Sequence, residues 1–376
     1  MGDTFCAVRD NINHFLYKNV AKPIFFRMDP EDVHGHVLKT GKIIGNYKLL
    51  QAWLKFTCGY ENKALHQELK GITFKNPIGL AAGFDKNAEL TDTLPYMGFG
   101  WGEVGSITGE RCEGNPRPRL WRLPKSEGLV IYYGLKNDGC EAIAERLKDK
   151  TFAMPIGVSV AKTNCADTVD LKAGIADYVK AYRTFLEKDI GVYYTVNISC
   201  PNAFGGQPFT DEKKLDALFT ELNKIPKKKP VFLKLSPDLT KEQMDGIIKM
   251  TKKHDIDGLI CCNLTKKKKD NPLIKDPLVS DKGGISGKVV EGLADDMIRY
   301  MYKKTKGSVV IVGCGGVFTA EDAYRKIRAG SSLIQMITGM IFRGPQVIGE
   351  INRGLVKLLK RDGFNTISEA VGADHK

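Results

Sequence analysis

The hexapeptide Asn197-Ile198-Ser199-Cys200-Pro201-Asn202 sets a thiol between two carboxamides, directly after the apolar run Val192 to Val196. A strand entering Ser-Cys-Pro must end there, because proline cannot donate to a ladder and biases its predecessor away from helix. Cys200 is therefore expected at a strand's C-terminal edge. The amides offer donors and acceptors to a planar ligand with an imide or urea edge. An unperturbed cysteine titrates about 1.5 units above neutrality, so this thiol could take or give a proton beside a bound ring. The plainer alternative is a small buried hydrophobe between two turn-forming asparagines.

A second chemical group lies in Phe232-Leu233-Lys234-Leu235-Ser236-Pro237. A lysine inside an apolar strand is costly unless it meets a negative partner or acts chemically. Lys234 could form a Schiff base, as in an aldolase-like barrel, or stabilise negative charge on a reduced flavin. The Asn-Cys-Asn turn favours the flavin, since proton abstraction at one ring carbon beside hydride loss would desaturate a pyrimidine.

Eight apolar runs are predicted to position these groups: Pro77 to Ala82, Gly102 to Ile107, Pro155 to Val160, Val192 to Ile198, Val231 to Leu235, Gly258 to Cys262, Val309 to Gly313 and Leu333 to Ile337. Helical patterns fall between most of them, at Glu89 to Met97, Gly139 to Lys148, Ala173 to Leu186, Lys213 to Leu222, Lys241 to His254, Gly292 to Lys304 and Ala320 to Ala329. Buried parallel strands alternating with helices predict an α/β fold, the (β/α)8 TIM barrel, with a doubly wound sheet as the alternative. Barrel chemistry gathers at the C-terminal ends of the strands. Gly315-Gly316 and Thr338-Gly339 follow the last two runs, where this fold usually binds phosphate; the alternative is ordinary tight turns.

The nine cysteines form an odd set with no Cys-x-x-Cys pair. That argues against a disulfide framework, a zinc site and a cysteine-ligated iron-sulfur cluster, and suits a reducing compartment. No protein-bound metal is expected. The net charge of +13 owes much to Lys227-Lys228-Lys229 and Lys266 to Lys269, which favour anionic surfaces or form solvated loops. No run reaches the roughly 20 apolar residues of a membrane span. The start lacks a signal-peptide core and carries Cys6 where a myristoylation motif wants Ser or Thr.

Residues 1–60 are predicted to form a helical extension and residues 61–376 the barrel. Ile12, Phe15, Leu16 and Val20 share one helical face, Asp29-Pro30-Glu31-Asp32 has the form of an N-cap, and Tyr47 to Phe56 is rich in apolar side chains. Pro23-Ile24-Phe25-Phe26 links the first two segments. Such an extension either packs on the barrel or turns its apolar side to a membrane interface or a greasy ligand.

Several motifs together resemble the dihydroorotate dehydrogenases, in particular the membrane-associated, quinone-dependent class 2 form. These are Asn76 to Lys86, Glu113-Gly114-Asn115-Pro116-Arg117-Pro118-Arg119, Arg27 to Glu31 and Ala370 to Asp374. The resemblance implies oxidation of dihydroorotate to orotate in pyrimidine synthesis, with FMN as hydride acceptor. It implies that FMN meets Ala82, Gly83, Ser106, Lys234, Ser286, Gly287, Gly315, Gly316, Thr338 and Gly339, and that substrate meets Lys86, Asn197, Asn202 and Asn263. Cys200 would be the base. The extension would form a quinone tunnel at a membrane surface, with Arg122 near its inner end, in an intracellular, peripheral-membrane protein, on the cytoplasmic face of the inner membrane in a bacterium.

Three positions depart from class 2. Cys200 replaces the usual serine, as in class 1, and an ordinary thiol would lower the pH optimum. Gly134-Leu135-Lys136-Asn137 also leans to class 1. Ile131 stands where a substrate-binding asparagine is usual, with Asn137 a possible substitute. These features keep fumarate open as the acceptor, and Ile131 keeps open another substrate or a membrane-binding protein without activity. The basic charge admits an RNA-modifying flavoprotein of the dihydrouridine synthase type, although no RNA-binding domain is visible and no nucleic acid partner is expected.

Overall fold

The strands of the barrel are short, apolar and separated by amphipathic helices, and they close on themselves. The computed structural model describes residues 3–268, 271–277 and 279–375, so Met1, Gly2 and Lys269 fall outside it. Four helices come first: α1 (Asp3–Leu16), α2 (Lys22–Arg27), α3 (Pro30–Asn46) and α4 (Lys48–Cys58). The strands that follow are β1 (Gln67–Leu69), β2 (Ile72–Phe74), β3 (Ile78–Leu80), β4 (Trp101–Ile107), β5 (Leu120–Leu123), β6 (Gly128–Ile131), β7 (Ile156–Val160), β8 (Tyr193–Asn197), β9 (Val231–Lys234), β10 (Gly258–Cys261), β11 (Gly284–Gly287), β12 (Val310–Cys314) and β13 (Leu333–Met336).

Eight strands form one closed parallel barrel in the order β10-β12-β13-β3-β4-β7-β8-β9. Each falls within or beside a predicted apolar run, and closure rules out the doubly wound alternative. Six of the seven predicted helices form close to their expected bounds. The exception is Glu89 to Met97, which yields only a 3₁₀ turn at Leu94–Met97. There the Asp85 carboxylate takes the amides of Glu89 and Leu90, and Pro95 has no amide to give a helix.

Three further features escape local patterning. The hairpin β1–β2 presents Phe74 edge-on to Trp101, next to Tyr193 and Phe232, and closes the N-terminal end of the barrel. A separate antiparallel sheet, β11-β6-β5, stands beside the C-terminal end. Helix Val347–Arg361 packs against α1, with the Arg353 guanidinium 3.1 Å from the buried Asp10 carboxylate.

The N-terminal segments are more continuous than expected. α1 runs through a π-helical turn, Tyr17–Ala21, into α2, so Pro23-Ile24-Phe25-Phe26 is helical, with proline tolerated in the first turn. Asp29 caps α3 by accepting from the amides of Glu31 and Asp32. The lysine runs are partly tied down: Lys227 pairs with Asp255 and Asp257, and Lys268 donates to the carbonyls of Ser280 and Lys282.

Candidate active site

A cavity of about 780 Å³ opens where the barrel strands end. All the residues assigned by resemblance to flavin, substrate, base and tunnel line it: Cys200, Lys86, Asn197, Asn202, Asn263, Lys234, Ser106, Ser286, Thr338 and Arg122, with Ala82, Gly83, Gly287, Gly315, Gly316 and Gly339. They come from the ends of seven barrel strands and from β5 and β11 of the small sheet.

Ser199 is the hub that holds Cys200. The Asn197 amide oxygen accepts from the Ser199 amide and hydroxyl, and Asn263 Nδ2 donates to the Ser199 carbonyl and hydroxyl at 3.1 and 3.0 Å. Asn197 Nδ2 in turn donates to Ser106, whose hydroxyl meets Ser159. Asn202 Nδ2 donates to the Ile131 carbonyl at 2.8 Å. These bonds use both amide hydrogens of Asn263 and one each of Asn197 and Asn202, and the side-chain oxygens of Asn202 and Asn263 accept no hydrogen bond among the described residues.

Burial pushes the Cys200 thiol up to about 11, against weaker lowering by the Asn202 backbone, Lys162 and Lys266. This corrects the expectation of a base near its ordinary value. Removing the thiolate from water costs more than the nearby donors and cations return.

Lys86 faces the same space from beyond β3. Burial brings its ammonium down to about 7, and it lies 4.0 Å from the centre of the Tyr133 ring. The Tyr133 hydroxyl is buried without a hydrogen-bond partner among the described residues. His34 Nε2 donates to the Phe84 carbonyl at 2.9 Å, and burial lowers this imidazole to about 3, which keeps it neutral. The other end of the cavity is apolar, lined by Phe25, Val33, Val37, Ile44, Leu54 and Met97 from the helices and the turn after β3. Arg122 stands between the two ends, donating to the Met28 carbonyl and stacking over Phe26 at 4.8 Å.

The family model "Dihydroorotate dehydrogenase" matches residues 64–359. A dihydroorotate dehydrogenase (quinone) of Haloarcula marismortui is 38% identical over 357 residues, covering 95% of this chain and 99% of its own length. The enzyme of the same name from Trichodesmium erythraeum is 36% identical over 381 residues, with 96% and 99% covered. A crystal structure of DHODH from Eimeria tenella in complex with ferulenol superposes with a TM-score of 0.78 at 29% identity, covering 93% of this chain and 96% of that one. The chain belongs to the dihydroorotate dehydrogenase family.

Dihydroorotate dehydrogenases are FMN oxidoreductases of pyrimidine biosynthesis, and so is this chain. The cavity fits that cofactor. Lys234 is buried yet makes no hydrogen bond or ion pair among the described residues, and both amide atoms of the cavity-lining Gln335 are buried without partners. Such groups are expensive unless a ligand completes them. Gly316 adopts a φ of +71°, and a Cβ there would lie 2.4 Å from Glu291 Cβ. Only glycine keeps that turn open.

Sequence reasoning passed over Gln335, Tyr133, His34 and Ser199. Gln335 could have been found, as a polar residue inside the apolar run Leu333 to Ile337. The dihydroorotate dehydrogenase asparagine missing at Ile131 is not replaced by Asn137. That side chain is buried beneath the cavity wall, donating to Thr108 Oγ1 and the Leu135 carbonyl and accepting from the Gly139 amide.

Proposed function

We propose that the chain oxidises dihydroorotate to orotate and passes the electrons to a quinone. The observation that carries this reading is that one cavity joins a polar end, with Lys86, Cys200, Asn202 and Asn263, to an apolar end built by the N-terminal helices. A small anionic substrate and a greasy acceptor thus have separate, contiguous places. The relatives are named for quinone, which disfavours fumarate and RNA as reactants.

In this reading Lys86 holds the substrate carboxylate, and the free oxygens of Asn202 and Asn263 accept from ring N–H groups. Asn197 and Ser199 position the turn. Cys200 Sγ takes a proton from the ring, and Pro201 helps fix the thiol's approach. Lys234 and Gln335 hold FMN with the glycines of Gly83, Gly287, Gly315, Gly316 and Gly339 and the hydroxyls of Ser106, Ser286 and Thr338. FMN, when bound, supplies the hydride acceptor. Arg122 orients the quinone head group.

Residues 1–60 act as the quinone-tunnel extension and residues 61–376 as the FMN-binding barrel. The outer faces of α1 and α4 expose Phe5, Ile12, Phe15, Leu49 (86% exposed), Trp53 and Phe56. No helix among the described residues is long and apolar enough to cross a membrane. Such a patch suits lying on a bilayer, in a peripheral intracellular protein. The test is anaerobic mixing of the holoenzyme with dihydroorotate, then with a soluble quinone or fumarate. Flavin bleaching and faster reoxidation by quinone are expected; a flavin that stays oxidised overturns the substrate assignment.

A further inference from the structure

Between α3 and the segments that follow β3 and β6 lies a second, polar pocket of about 460 Å³, lined in part by Asp32, Gly35, Lys39 and Glu89. His34, Lys86, Tyr133 and Lys136 line both this pocket and the catalytic cavity. The two spaces therefore share a wall of side chains, and Lys86 borders each.

The charges around this pocket are unevenly committed. Glu31 is bonded to Arg117 and Arg119, Asp32 to Arg117, and Glu89 sits 3.7 Å from Lys42. Lys39, Lys86 and Lys136 make no hydrogen bond or ion pair among the described residues. The acids are spent and cations remain, which favours an entering anion. The mouth of the cavity is lined mainly by apolar side chains such as Phe25, Val37 and Ile44, which return little for an anion's lost hydration.

We propose that the polar pocket is an anion vestibule, through which a small carboxylate passes Gly35 and Lys39 to reach Lys86, leaving the apolar mouth to the other reactant. The proposal rests on the substrate reading above, in which the ligand at Lys86 carries a carboxylate. Gly35 offers a clean way to close the route. A Cβ there would meet no atom within 4 Å, and its φ lies outside the left-handed region, so a large side chain can occupy the pocket's open space.

The experiment follows orotate binding to the oxidised holoenzyme by stopped-flow absorbance of the flavin, for the unmodified protein and the Gly35→Trp, Gly35→Ala and Lys39→Glu variants. Gly35→Trp should slow association and dissociation by the same factor, roughly tenfold, leaving Kd unchanged, as blocking a route does. Gly35→Ala should match the unmodified protein. Lys39→Glu, at an exposed position, should lower only the association rate, by roughly threefold or more at low salt, with the difference vanishing as salt rises. Rates unchanged in both Gly35→Trp and Lys39→Glu would overturn the vestibule while leaving the substrate reading intact. An unmodified holoenzyme that does not bind orotate would overturn both.

Discussion

Asn202 Nδ2 donates to the backbone carbonyl of Ile131 at 2.8 Å, so one of its two amide hydrogens is spent on the strand that carries the isoleucine. The side chain of Ile131 meanwhile lines the cavity and packs beside Leu129, Phe318 and Phe342. That corner of the polar end thus has fewer hydrogen-bonding groups than an asparagine at position 131 would give it. Ile131→Asn should strengthen binding of orotate by about 1–2 kcal/mol, roughly tenfold in Kd, by adding one hydrogen-bonding group. Asn137→Ala, by contrast, should lower the melting temperature and leave Kd nearly alone, because its amide is committed to Thr108, Leu135 and Gly139. Titration of the flavin spectrum with orotate, beside thermal melts, measures both; an Asn137→Ala variant that bound orotate roughly tenfold or more weakly would contradict the assignment.

The height of the Cys200 pKa gives the pH dependence its sign. A base must be deprotonated to act, and burial pushes this thiol up to about 11. Only a small thiolate fraction exists at neutral pH, and it grows with alkalinity. The rate of flavin reduction by dihydroorotate should rise roughly tenfold per unit between about pH 7 and pH 9. Cys200→Ala should lose roughly 10²–10⁴-fold of that rate at any pH in the range. A profile flat over the range would remove Cys200 from the role of base.

The ion pair between Glu31 and Arg119 fastens α3 to the barrel, with side chains 11% and 6% exposed. Burial alone would raise the Glu31 carboxyl, but bonds to Arg119 and Arg117 win and bring it down to about 2. A carboxylate depressed in the folded state contributes stability above its unfolded value of about 4.3, lost as pH falls toward 2. Glu31→Gln should cost about 2–4 kcal/mol near neutrality and flatten the acid limb of the stability curve. Denaturant unfolding at several pH values decides this, and an unchanged acid limb would refute it.

Lys234 and Gln335 make opposite demands on the empty and loaded protein. Replacing Gln335 by leucine removes two unpartnered amide atoms, so the flavin-free protein should become no less stable while FMN binds about 1–3 kcal/mol more weakly. Lys234→Met should likewise leave a folded protein that purifies with little flavin. Flavin content per chain and melting of the flavin-free form give both answers. Full flavin content in both variants would show that these side chains face no cofactor.

The exposed apolar stripe on α1 and α4 should govern attachment to lipid. Leu49→Glu with Trp53→Glu should abolish sedimentation with vesicles of mixed neutral and anionic lipid and leave turnover with a soluble quinone unchanged, since neither side chain lines the cavity. Sedimentation undiminished in the double variant would place the membrane contact elsewhere.

The amino-acid sequence by itself determined the barrel, because a buried parallel strand needs a short apolar run and a covering helix needs a 3.6-residue stripe, both local patterns. It also determined which residues stand at the strand ends, since glycine pairs, Ser-Cys-Pro and a lone lysine in an apolar run are visible without contacts. Only the tertiary structure decided what those residues can do. β6 pairs with β11 across about 150 positions, as in Val130 with Ile285, a register that no local pattern encodes. Burial by distant segments raises the Cys200 thiol, lowers Lys86 and silences Asn137. Hydrogen-bond partners and desolvation depend on neighbours brought together by folding, so the chemistry of each named residue had to wait for the fold.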